Sequence, residues 1–338
     1  MRRNRLALLA LVLALSLSLT ACGEKKDVIA SPPGPRQPFT LMLDWVPNAD
    51  HVGIYEGLAQ GQFARAGIDL HVQAPTDPAT PLALLAAGKV DAAISYEPEV
   101  LLARNRGLPL VSVAAIVQRP LTSIISLGSQ RITSVKALKG KRVGDAGLAY
   151  QHAYLNTLLT HAGVSSSQVS EVNVGGDLVP AMLTKRVNAT LGGYWNYEAL
   201  QLQQEGKHPN VLRVDQIGVP SYDELVLVVK RGTIANRTDL LRRFVQAVTR
   251  GYQATRADPQ AAVNALLAAN PGLDPKLQLA SVRATLSSFF PTGNHPWGWQ
   301  DATRWNAYGQ WMINQHLISV PNAVVDASTD ELLAGQGP

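Results

Sequence analysis

The sequence predicts an α/β protein of two lobes with a helical tail. Three observations predict it. Short apolar runs alternate with helix-period stretches from Phe39 to Leu127, the same alternation starts again near Ser134, and from Asp239 the pattern is nearly all helical. Strands alternating with helices indicate βαβ units and a mostly parallel sheet. A mature chain of roughly 300 residues also exceeds what one typical core serves.

The first lobe is read as residues 38–126. "FTLML" forms a strand, followed by a helical stretch from about Asp50 to Ala64; "IDLHVQA" precedes "PLALLAAG", "DAAIS" precedes "PEVLLARNRG", and "LPLVSVAAIVQ" and "LTSIISL" follow as strands. The second lobe, 127–226, repeats the plan: "KRVGDAG" leads into "YQHAYLNTLLTHAGV", "VSEVNV" into "DLVPAMLTKR", and "VNATLGGYW" into "NYEALQLQQEG", before "VLRV" and "ELVLVVK". Residues 227–338 return to the first lobe and end in helices. Leu241, Phe244, Val245, Val248 and Tyr252 share one helical face. "ADPQAAVNALLAAN" and "DPKLQLASVRATLSSF" start on Asp-Pro, where Pro in the first turn loses no needed hydrogen bond. A tail packed on the first lobe requires two crossings, expected near Ile125–Gly128 and Glu224–Val228. Paired crossings permit hinge closure around a ligand.

The leader is read first by its charge. Arg2, Arg3 and Arg5 precede an apolar run of 15 residues, Leu6–Thr20, which is short for a bilayer span and fits a secretory signal, residues 1–21. Leu19-Thr20-Ala21-Cys22 resembles the lipobox of bacterial lipoproteins, in which the Cys carries the lipid; an ordinary cleaved signal with a chance Cys is the alternative. Cys22 is the sole Cys, so an internal disulfide is excluded. Residues 22–37 then read as a Pro-rich tether. The formal charge of +5 falls by the three leader arginines to about +2, and the remaining bases are scattered among acids, which is no nucleic-acid stripe.

Four stretches carry a family likeness: "LDWVPNADHVGIYEG", "GKVDAAISYEPEVLLA", "LGGYWNYEAL" and "GVPSYDELVLV". They resemble the proteins that bind thiamine pyrimidine precursors for ABC importers, over roughly residues 38 to 320. The resemblance implies a periplasmic-binding-protein-like (type II) fold with a ligand cleft between lobes. It implies a permease and an ATPase as partners, a lipid-anchored monomer on the extracytoplasmic face of the membrane, and no cofactor. Relatives in this broad family bind sulfonates or riboflavin-like ligands, and one branch is a pyrimidine synthase.

An aminopyrimidine offers a π face, ring nitrogens and an amino group. Aromatic rings cover the face, and carboxylates accept short, charge-assisted hydrogen bonds from the edge. In α/β clefts such groups are expected at strand ends. Trp45 is expected to stack and Asn48 or Asp44 to bond the edge; surface packing and turn formation beside Pro47 are their other readings. His51 opens a helix, as a ligand contact or a local hydrogen-bonder. Tyr96 is expected to wall the cleft, and Glu97 either to contact ligand or to serve its helix dipole. Tyr194, Trp195, Tyr197 and Glu198 follow a Gly pair; Glu198 is the expected acceptor for the amino group, with one or two of the aromatics left to the core. Tyr222 is expected to close over the ligand, while Asp223 and Glu224 contact ligand or bond between lobes. "GDAGLAY" offers backbone amides for a phosphate or formyl oxygen, or a plain tight turn.

The enzyme alternative is tested by absences of residue type. No HExxH or GxSxG occurs, and no thiolate remains after lipidation. The synthase relatives place a Lys and a His in the stretch matching "GKVDAAISYEPEVLLA"; here those positions read Ser95 and Glu99. No catalytic residue and no metal site is expected.

Overall fold

The computed structural model describes residues 34–336. The signal segment, Cys22 and most of the tether lie outside them. Ten strands build two five-stranded sheets: β1 Gln37–Met42, β2 Ile68–Gln73, β3 Ala92–Ser95, β4 Leu110–Val117, β5 Thr122–Ser126, β6 Arg142–Asp145, β7 Ser170–Asn173, β8 Ala189–Tyr194, β9 Asn210–Arg213 and β10 Leu225–Lys230. The first sheet has the order β2-β1-β3-β10-β4 and the second β7-β6-β8-β5-β9.

The two sheets share one plan. β1 runs parallel to β2 and β3, and β6 runs parallel to β7 and β8. In each sheet one strand delivered from the other lobe runs antiparallel: β10 lies between β3 and β4, and β5 between β8 and β9. β4, although last in its sheet, is buried along its whole length, which is why it reads as a nearly unbroken apolar run. The edge strand β2 alternates buried and accessible residues.

The chain crosses between sheets at residues 118–121 and again at 214–224. The expected first crossing near Ile125–Gly128 is therefore too late. The sequence reading places "LTSIISL" in the first lobe, because a short buried strand carries no mark of the sheet that takes it. It is β5, paired with Ala189–Tyr194 of the second sheet. The second crossing likewise ends before Leu225, which already pairs with Val117.

The tail packs on the first lobe. The helix Arg231–Ala257, broken at Arg237, buries Leu241, Phe244, Val245, Val248 and Tyr252. It lies against the helix Val52–Ala59, where Gly53 and Gly251 let the two backbones approach. Asp258 and Asp274 cap the next two helices by accepting from the backbone N–H of Ala261 and Leu277. Among the described residues, no helix is long and apolar enough to cross a membrane.

Candidate functional site

Four parallel strands deliver their C-terminal ends to one cleft. β1 ends at Asp44 to Asp50, β3 at Tyr96, β6 at Ala146 to Gln151, and β8 at Tyr194 to Glu198. Together they line a narrow cavity between the lobes.

The first lobe holds its groups rigidly. Asn48 accepts from the N–H of Asp50 at 2.8 Å, and its own N–H meets His51 Nδ1 at 3.2 Å. With Nδ1 accepting, His51 Nε2 carries the hydrogen and donates to Asp44 Oδ1 at 2.8 Å. Tyr96 donates to the other Asp44 oxygen at 2.8 Å. Burial, then the Asp44 charge, holds the Tyr96 hydroxyl well above its usual range, so it remains a donor. Trp45 reaches toward the second lobe, with its Cζ2 3.8 Å from where a side chain on Gly176 would begin.

The second lobe faces it with Tyr150, Tyr194, Tyr197 and Glu198. Glu198 Oε2 accepts from the Tyr194 N–H at 2.6 Å. Burial pushes Glu198 up to about 7, partly offset by that hydrogen bond. Asp50 is pushed up to about 8 by burial, then by the charges of Asp44 and Glu198; a hydrogen bond from Asn196 works the other way. Three carboxyl groups thus face one cavity. Among the described residues that line it, none is Lys, Arg or His.

Of the expected site residues, Asp44, Trp45, Asn48, Tyr96, Tyr194 and Glu198 line the cavity. Five others do not, and each has a local reason. His51 is fully buried behind Asp44, the local hydrogen-bonder. Glu97 accepts from the Asp223 N–H at 2.7 Å, beneath the first turn of its helix. Trp195 donates to the Pro120 carbonyl at 3.1 Å and lies under the Arg213 guanidinium. Tyr222 is buried among Tyr154 and Tyr308, away from the opening. Glu224 accepts from the backbone N–H groups of Leu121 and Thr122, the Thr122 hydroxyl and Tyr222. It ties the two crossings together and so belongs to the hinge. The "GDAGLAY" amides are also engaged: Ala146 N–H donates to Gln151 and Gly147 N–H to Asp145. That is the tight turn, with those two donors unavailable to a phosphate.

Several lining residues were missed. Asp50 read as an ordinary first helical residue, though its place after two turn formers at a strand end was a signal. Tyr150 closes "GDAGLAY", a segment examined only for its amides. Gly192 takes φ +110° and packs against the Gln151 carboxamide, leaving no room for a side chain; the Gly pair was visible, its cause was not.

Two α/β lobes, two crossings and a polar cleft at strand ends define a two-lobed solute-binding fold. The alkanesulfonate-binding protein SsuA from Xanthomonas axonopodis pv. citri, solved with MOPS, shares it at a TM-score of 0.67 and 16% identity, over 88% of this chain and 99% of that one. The family model described as NMT1/THI5 like matches residues 48–262, and the chain belongs to that family. The formylaminopyrimidine-binding protein of Halalkalibacterium halodurans is 33% identical, over 94% of this chain and 97% of its own. The 4-amino-5-hydroxymethyl-2-methylpyrimidine phosphate synthase THI11 of Saccharomyces cerevisiae is 23% identical, over 89% of each.

Proposed function

We propose that this chain is the substrate-binding lipoprotein of an ABC importer, and that it captures a small aminopyrimidine, a thiamine pyrimidine precursor. The wall chemistry carries the reading. Three carboxyl groups and several aromatic rings line the cleft with no cationic side chain among them. A sulfonate or phosphate in that cavity would meet acidic side chains and, among the described lining residues, no cation to pair with. An aminopyrimidine edge presents N–H donors instead, and its flat face suits Trp45 and the tyrosines. The likeness to a formylaminopyrimidine-binding protein supports the same ligand class.

The binder reading is favoured over the synthase reading by the residues present. Ser95 is buried at the end of β3. Glu99 accepts from the Tyr150 backbone N–H, and among the described residues no lysine lines the cleft. The pyridoxal phosphate chemistry of the synthase relatives, which needs a lysine amine, has no seat here.

A thermal-shift panel of aminopyrimidines, riboflavin, taurine and alkyl sulfonates tests the ligand. An aminopyrimidine at a hundred times Kd is expected to stabilise the protein by about 2.7 kcal/mol. A response to sulfonates alone would sink the pyrimidine reading. The anchor is tested by membrane fractionation: wild type should sediment with membranes and Cys22→Ser should not, and equal soluble fractions would refute lipidation.

A further inference from the structure

The three cleft carboxyls differ in what they still have to offer. Asp44 has both oxygens engaged, one by His51 and one by Tyr96. Glu198 has one oxygen on the Tyr194 N–H. Asp50 is 1% exposed, and its Oδ1 accepts from Asn196 Nδ2 at 2.9 Å. Its Oδ2 is buried, belongs to a cleft-lining side chain and has no partner. An unpaired buried carboxyl oxygen is costly unless something bonds it.

Asn196 comes from the other lobe, in the loop after β8. Its Nδ2 also meets Thr285 Oγ1 at 2.6 Å and Ser281 Oγ at 3.4 Å, on the helix Pro275–Thr285 that packs beside the Asp50 turn. The next residue adds a second tie: Gln278 Nε2 donates to the Tyr197 hydroxyl at 2.9 Å. These bonds join the second lobe to the first on the cleft side, whereas Glu224 joins the crossings at the hinge.

We propose that Asp50 determines which ligands the cleft keeps: with Asn196 holding Oδ1, Oδ2 passes a proton to a basic ligand ring nitrogen and then accepts the resulting N–H, so that recognition and lobe closure meet on one carboxyl. The proposal rests on the aminopyrimidine reading of the cleft. The Asp50 position accepts an amino group or a protonated ring nitrogen and rejects an analogue without one, because the oxygen would then stay buried and unbonded. Asn196 reaches that carboxyl from the other lobe, so a ligand that orders Asp50 favours the joined arrangement of the lobes.

The test uses 4-amino-5-hydroxymethyl-2-methylpyrimidine and its desamino analogue, with affinities measured by calorimetry on the soluble protein. Asp50→Asn keeps an acceptor for Asn196 but can neither pass a proton to the ligand nor accept it back at the ligand-facing atom. It is expected to weaken the aminopyrimidine by about 10- to 100-fold and the desamino analogue far less. Asp50→Ser serves as a second variant if the first does not fold, with the ratio of the two affinities as the readout. Asn196→Ala is expected to weaken both probes by the same factor. A wild type that binds neither probe overturns the cleft reading and this proposal with it. A wild type that binds, with an Asp50 variant of unchanged ratio, overturns the proposal alone. Unchanged binding in Asn196→Ala overturns the coupling to closure.

Discussion

Asp50 and Glu198 hold protons in the folded protein that they release when the chain unfolds. Their folded values stand near 8 and 7, against 3.8 and 4.5 for the free side chains. Between about pH 4 and pH 8 the native state therefore binds more protons than the unfolded state. The sign follows: stability falls as pH rises through that window, by about 1.4 kcal/mol per pH unit for each extra proton held. Below the free values the stabilisation is fully present; above the folded values it is gone. Urea unfolding of ligand-free protein at pH 5 and pH 8 should show the lower midpoint at pH 8, and Asp50→Asn should flatten that difference. An identical pH profile in wild type and variant would contradict the assignment. At this scale the sequence showed the strand-end acids and aromatics but not their division of labour. Asp44 and Glu224 are both acids beside turns. One lines the cleft and the other clamps the hinge, and the difference lies in partners 52 and about a hundred residues away.

The helix Val52–Ala59 carries the Asp44–His51 turn, so its seat against Arg231–Ala257 positions the site. That seat depends on glycine. A Cβ on Gly251 would stand 1.9 Å from the Gly53 carbonyl oxygen and 3.0 Å from the Gly57 nitrogen, both backbone atoms that cannot rotate away. Gly251→Ala should therefore force the helices apart. The expected loss is about 1–3 kcal/mol or somewhat more, against the gain of up to about 1 kcal/mol that alanine otherwise brings to a helix. Gly232 provides the contrast: nothing lies within 4 Å of a Cβ there, and Gly232→Ala should be neutral or slightly stabilising. Equilibrium denaturation of both variants decides it, and a Gly251→Ala protein as stable as wild type would remove glycine packing from the account. Element type was legible from pattern, because fully buried strands read as apolar runs and the tail helix showed its face. Sheet membership was not: β5 and β4 are both buried along their whole length, and only pairing across the second lobe distinguishes them.

At the scale of the whole molecule, a family that holds both binders and a synthase must be divided by what the cleft contains. The synthase relatives take pyridoxal phosphate on a lysine and consume a histidine of their own. The resemblance matches those positions to Ser95 and Glu99 of this chain, and among the described residues the cleft wall contains neither lysine nor histidine. His51, the nearest candidate, is fully buried and bonded to Asp44 and to the Asn48 backbone. Releasing it would leave Asp44 Oδ1 and the Asn48 N–H without partners inside the lobe, at a cost on the order of 1–3 kcal/mol for each buried group. The purified soluble protein is therefore expected to show no pyridoxal-imine absorbance after incubation with pyridoxal phosphate, no lysine labelled by borohydride reduction in the cleft, and no loss of histidine mass in peptide spectra with iron and oxygen present. A reducible adduct together with a modified histidine would make this chain an enzyme, and would require the Asp44–His51 turn to open in a way that its hydrogen bonds oppose.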